Sequence, residues 1–183
     1  MPRPPGEQLA GPRLCVFCGL PGTGKSTLAA GLARHLGAAY LRVDAIRDGL
    51  FQSELRLGDA KDGTYCAARS LAAENLALGR PVVADAVHWT AALRHPWTDV
   101  AARARAQLLW IETLCSDPAI RQARIEARAQ SGRKSWRKVG ALGMDPVEHA
   151  DIRIETCGMP PEESLAALIR ALPDSAEPGT GLG

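Results

Sequence analysis

Eight residues near the start of the chain, Gly19-Leu20-Pro21-Gly22-Thr23-Gly24-Lys25-Ser26, follow the pattern GxxxxGK[ST] without a mismatch. Glycines at these spacings let a backbone wrap closely around phosphate oxygens, in conformations that other residues avoid. The N–H groups of such a loop, together with the positive end of a following helix, converge on an anion. Lys25 is then placed to reach β- and γ-phosphates, and the Ser26 hydroxyl to hold Mg²⁺. Thr27 is the next candidate for a phosphate contact. The loop implies a nucleoside triphosphate but leaves open what becomes of it. A guanine-reading Asn-Lys-x-Asp is absent from the sequence. The apolar run Val82-Val83-Ala84-Asp85 is followed by Ala86, so it lacks the glutamate with which many ATPases activate water. That combination points to a phosphoryl acceptor other than water.

Two acids suit such an acceptor site. Asp44 follows the short apolar stretch Tyr40-Leu41-Arg42-Val43, and Asp85 closes Val82-Val83-Ala84. A hydroxyl attacking a γ-phosphoryl group needs orientation and a place for its proton, which Asp44 could supply. An aspartate there would equally cap a helix starting at Ala45. Asp85 is placed to bind Mg²⁺ or touch the acceptor. Arg47 stands one helical turn after Asp44, for acceptor binding or for a salt bridge to Asp48 or Glu54. His88 and Trp89 follow Asp85 on the same loop, where Trp89 could stack on an acceptor ring or pack on the domain. Between Arg121 and Lys138 lie seven basic residues against the single acid Glu126. So lopsided a run suggests an anionic ligand, although a solvated helix face would also account for it.

The pattern around these residues predicts the elements that position them. Leu14–Cys18, Tyr40–Val43, Pro81–Ala84, Gln107–Thr113 and Ile152–Thr156 read as strands. Lys25–Leu36 reads as a helix with Leu28, Leu32 and Leu36 four apart, and Lys61–Leu78 as another, stopped by Gly79 and Pro81. Asp117 and Pro118 open a helix towards Gln130, and Leu165, Leu168, Ile169 and Leu172 stripe a closing one. Strand alternating with helix implies an α/β fold with a five-stranded parallel sheet covered on both faces. Ligands of such folds bind beyond the carboxyl ends of the strands, where the glycine loop, Asp44 and Asp85 all fall.

Composition agrees with one ordinary globular domain. The chain has 183 residues, 46% of them hydrophobic and 23% charged, with a net charge of +2. Residues 1–13 and 173–183 are rich in Pro and Gly and read as loose tails around a domain at 14–172. The five cysteines are scattered. Cys15 and Cys18 form a CxxC only on paper, because strand alternation points them to opposite faces. Buried thiols in a reducing cytoplasm are expected, since no apolar leader or membrane-length segment is visible.

Taken together, GLPGTGKST, YLRVDAIRDGL and VVADAVHW resemble the family of small P-loop kinases with an AAA-like ATP-binding loop. These are related to chloramphenicol phosphotransferase, zeta-toxin kinases, shikimate and gluconate kinases, and polynucleotide 5′-kinase modules. The resemblance implies a P-loop NTPase fold with a short Arg-rich lid, here about 131–143, and ATP with Mg²⁺ as donor. It implies that Asp44 contacts the acceptor hydroxyl, that Arg47 and Asp85 belong to the acceptor or Mg²⁺ site, and that Arg124, Arg128 and Arg133 approach the phosphates. The expected activity is transfer to a small hydroxylated acceptor. A nucleic-acid 5′-hydroxyl kinase, or a nucleotide-binding regulator without acceptor chemistry, is the alternative.

Overall fold

Leu14 and Val16 point to one side of the first strand while Cys15 and Phe17 point to the other, and all four are fully buried. A strand apolar on both faces needs a layer on each side. The computed structural model describes residues 11–54, 62–129 and 144–173. Its strands are β1 (Arg13–Cys18), β2 (Ala39–Arg42), β3 (Val82–Asp85), β4 (Gln107–Leu114) and β5 (Ile152–Glu155). They form one parallel sheet in the order β2-β3-β1-β4-β5.

Helices α1 (Lys25–Leu36) and α7 (Pro161–Ala171) cover the face carrying Cys15, Phe17, Val83, Leu109 and Ile111. Helices α3 (Gly63–Ala77) and α5 (Pro96–Ala104), with Val43, cover Leu14, Val16, Val82 and Ala84 on the other. Phe17, Leu28, Leu32, Ile111 and Leu168 are buried almost completely. Each such side chain contributes about 1.5–3 kcal/mol of transfer free energy. The remaining helices are α2 (Val43–Gln52), α4 (Ala91–Arg94) and α6 (Pro118–Ala129).

The expected stops and starts hold where their chemistry is local. Gly79 takes φ 73°, its N–H reaches the Leu76 carbonyl, and Arg80 N–H reaches Asn75. This is a left-handed glycine stop that satisfies the last carbonyls of α3. The Asp117 carboxylate accepts from the Ala119 N–H at 2.8 Å and caps α6 ahead of Pro118. Two details differ from the expectation. β2 ends at Arg42 and Val43 already starts α2, so Asp44 lies in the first turn of a helix rather than at the end of a strand. It does not cap α2, which has no side-chain cap hydrogen bond. Residues 91–104 form two short helices separated at Pro96, α4 being capped by the Thr90 side chain. Their four-residue and nine-residue lengths hold too few turns for a periodic pattern to show.

Candidate active site

The glycine loop leaves β1 at the carboxyl edge of the sheet and ends in α1. Gly19, Gly22 and Gly24 have φ of 136°, 87° and 82°, values that side chains disfavour. Space matters as much as torsion at two of them. A Cβ on Gly19 would lie 2.6 Å from the Thr113 hydroxyl, and one on Gly22 would lie 2.8 Å from the Arg121 carbonyl of α6.

The loop is held from behind by hydroxyls. Thr23 Oγ1 bonds the Leu20 carbonyl at 2.8 Å and meets Thr113 Oγ1 at 2.8 Å. Thr156, just after β5, shares its hydroxyl proton between the carbonyls of Thr23 at 2.9 Å and Leu114 at 3.0 Å. Arg124 of α6 donates to Gly22 O at 3.4 Å, to Thr156 Oγ1 at 2.9 Å and to Thr156 O at 2.8 Å. Carbonyls of Leu20, Gly22 and Thr23 are therefore occupied on the rear side. No side chain caps α1. The N–H groups of Lys25 and Ser26 and the helix dipole are left to an anion in front, while the Thr27 N–H returns to the Gly24 carbonyl at 3.0 Å. Leu20 and Pro21 complete the curve, and Thr27 is exposed one position beyond Ser26.

In front of the loop lies a chain of alternating charges. The Asp85 side chain is only 2% exposed, with Oδ1 3.9 Å from Lys25 Nζ and Oδ2 3.8 Å from Arg42 Nε. Its Oδ2 also accepts the Tyr40 hydroxyl at 2.8 Å. Burial, and then the Asp85 charge, push the Tyr40 phenol above its ordinary range, so it stays a neutral donor. Arg42 continues to Asp44 at 3.8 Å, Asp44 to Arg47 at 2.7 Å, and Arg47 to Asp48 at 3.0 Å. Asp44 is about half exposed, unlike Asp85. The salt-bridge reading of Arg47 is thus realised, with Asp44 itself as the nearer partner.

A Ser26 hydroxyl beside the loop and a strand-end carboxylate offer oxygen donors only, the set that suits Mg²⁺ rather than a softer metal. A second sign of fit is that the buried Asp85 carboxylate sits at the sheet's carboxyl edge, held between Lys25, Arg42 and the Tyr40 hydroxyl.

The chain matches one protein-family model over residues 14–141, described as an AAA domain. The chain belongs to this family. No curated protein matches it. Among solved structures, the AAA-domain chain is similar to the Mycobacterium tuberculosis APS kinase bound to AMPPNP and APS, with 19% identity and a TM-score of 0.68 over 88% of this chain and 97% of that one. A gluconokinase from Sinorhizobium meliloti aligns with 19% identity and a TM-score of 0.59 over 87% and 93%. A sugar kinase from Janibacter sp. aligns with 18% identity and a TM-score of 0.55 over the same shares. At these identities the likeness shows the fold, an α/β parallel sheet of the P-loop kinase kind.

Within the AAA domain, several expected site residues take other positions. His88 is fully buried, so its ring does not face an acceptor. It lies among Tyr65, Trp97 and Trp110, and its Nδ1–H donates to the Phe17 carbonyl at 2.7 Å. Alternation stops at Asp85, and the turn after it carries His88 back into the core with φ 49°. Arg124 is spent on the rear of the loop, so it positions the cradle rather than reaching across it. Trp89 stays 37% exposed while its carbonyl accepts the Asp145 N–H. Arg128 stands on α6, but its side chain, Arg133 and the expected lid at 131–143 lie outside the described residues. Tyr40, Arg42, Thr113 and Thr156 were not legible as site residues, because isolated Tyr, Arg and Thr form no motif.

Burial lowers the His88 imidazole to about 4. Unfolded, it ionises near 6.5. The native state therefore refuses a proton across that window, and stability is full above about pH 6.5 and lost as pH falls towards 4. The loss from this group is about 3 kcal/mol. Denaturant unfolding at about pH 7.5 and pH 4 should show a smaller acid loss in His88→Gln than in the native chain. Equal losses would contradict the buried neutral imidazole.

Proposed function

We propose that the chain is an ATP-dependent phosphotransferase that moves the γ-phosphoryl group to a hydroxyl of a small acceptor. The observation that carries this reading is the juxtaposition in front of the glycine loop: a buried Lys25–Asp85 pair beside the half-exposed Asp44–Arg47 pair. One pair serves a donor and the other is open to an acceptor. The APS kinase of similar fold, bound to AMPPNP and APS, supports a site of that two-part kind.

In this reading the N–H groups of Gly22, Gly24, Lys25 and Ser26 cradle the phosphates, with the exposed Thr27 side chain beside them. Lys25 lies along the β- and γ-oxygens and neutralises charge as the phosphoryl group transfers. Ser26 and Asp85 would hold Mg²⁺, which supplies further charge neutralisation on the phosphates when bound. Tyr40 and Arg42 hold the Asp85 carboxylate in place. Asp44 accepts the proton of the acceptor hydroxyl as it attacks, with Arg47 fixing the carboxylate and contacting the acceptor. Trp89, exposed on the loop after β3, offers a face for an acceptor ring. Arg128 and Arg133 remain the candidates for closing over the phosphates.

The charge pattern favours a small acceptor over a nucleic-acid end. Lys25, Arg42 and Arg47 are each matched by a carboxylate, Asp85, Asp44 or Asp48. A strip with no net charge gives a polyanion no track. Asp44→Asn keeps the shape and removes the base. It should lower kcat by about 10²–10⁴ while ATP binding stays near native. Native turnover in that variant would exclude Asp44 as base. Steep weakening of acceptor binding with salt would point instead to a nucleic-acid acceptor.

A further inference from the structure

Away from the charge strip, three ligand-type side chains converge behind the loop. Cys115 follows β4, Glu155 ends β5, and Cys157 comes two residues later. Their two sulfur atoms and a carboxylate oxygen all lie within 4.8 Å of one another. A tetrahedral zinc ion with ordinary bond lengths needs such atoms about 3.5–3.8 Å apart. We propose that Cys115, Glu155 and Cys157 form a site for a thiophilic divalent cation of the zinc class.

The backbone already fixes the ligands. Leu114 pairs with Glu155 across the parallel ladder, and the Thr156 N–H extends it to the Leu114 carbonyl at 3.0 Å. The two segments bearing the sulfurs therefore cannot drift apart without breaking sheet hydrogen bonds. The Glu155 carboxylate is oriented by N–H groups of Ser116 at 3.2 Å and Cys157 at 2.8 Å, the kind of outer support that metal-binding carboxylates receive. Cys157 is partly open to solvent, which provides an entry path, whereas Cys115 is buried.

Charge also balances. Two thiolates and a carboxylate would carry three negative charges against the ion's two positive ones, and Arg124, which donates to Thr156 between two of the ligands, is the cation at hand. Three protein ligands leave a fourth position for water. Cys15 and Cys18 are buried within β1, and among the described residues neither belongs to such a cluster. The site matters for the loop because Thr156, between two of its ligands, holds the Thr23 carbonyl. An ion there would fix the rear support of the cradle.

The test uses the full chain, kept reduced with a phosphine and freed of metal. Titration with zinc against a chromophoric chelator should give one equivalent bound with roughly micromolar or tighter affinity. Cys157→Ser should weaken this more than about 100-fold, exceeding the loss typical of outer-shell changes. Cys66→Ser, on the exposed face of α3, should leave it unchanged. Cobalt(II) in the unmutated chain should show a sulfur-to-metal charge-transfer band, a readout independent of how any variant folds. Zinc should also raise Tm in the native chain and not in Cys157→Ser. Absence of the cobalt–thiolate band, or equal zinc affinity in native and Cys157→Ser chains, would overturn the site.

Discussion

Lys25→Met is expected to lower kcat/KM for phosphoryl transfer roughly a thousandfold, about 4 kcal/mol of transition-state stabilisation. Burial sets the size of the effect. Lys25 is only 9% exposed, so its ammonium acts where water screens it little. Its partner Asp85 stands 3.9 Å away, beyond a close hydrogen bond, which leaves the ammonium donors available to phosphate oxygens. Because those oxygens gain charge during transfer, the loss should fall more on kcat than on ATP affinity. Met preserves the apolar stem that packs beside the loop. Steady-state kinetics, paired with calorimetry of ATP binding, separates the two effects. A variant that binds ATP and turns over at the native rate would remove Lys25 from the chemistry.

Asp85→Asn is the second large effect, expected at about a hundredfold or more in kcat, with a raised Mg²⁺ requirement. An amide oxygen can still accept the Tyr40 hydroxyl, so the neighbourhood is retained in shape. What disappears is the charge between Lys25 and Arg42. Breaking a buried pair by removing one partner costs about 3–5 kcal/mol when the other charge is sealed in. Arg42 remains 24% exposed and regains some solvation, so the cost should fall below that range. Tyr40→Phe serves as the comparison: it removes one hydrogen bond and no charge, and should reduce kcat by about tenfold or less. If Asp85→Asn and Tyr40→Phe behave alike at saturating Mg²⁺, Asp85 is a structural residue only.

The parts legible in the sequence were those whose physics is local. Gly19 to Ser26 announces itself because the loop needs glycine torsions and a lysine at fixed spacing. Asp117 with Pro118, and Gly79 with Pro81, mark helix ends for the same reason. The alternation of apolar runs with helical stripes was enough for a parallel α/β sheet. What the sequence hid depends on contacts between distant segments. Tyr40 reaches Asp85 across 45 positions, and Thr156 reaches Thr23 across 133. His88 looked like a loop residue beside Asp85, yet the chain turns it inward onto Phe17. Arg124 shares a helix face with other arginines, but only the packing of α6 against the loop shows that it grips Gly22 and Thr156. The boundary between β2 and α2 moved by one residue, enough to shift Asp44 from a strand end into a helical turn.

The central claim is that the γ-phosphoryl group goes to an acceptor hydroxyl and not to water. It is tested most directly by following γ-labelled ATP with Mg²⁺ and the full chain, across sugars, nucleosides, hydroxy acids, aminoglycosides and 5′-hydroxyl oligonucleotides. Transfer to an acceptor predicts that one class of small hydroxylated acceptor collects the label as ADP forms in equal amount, and that Asp44→Asn suppresses both. Label appearing only in inorganic phosphate, at a rate no acceptor changes, would contradict it.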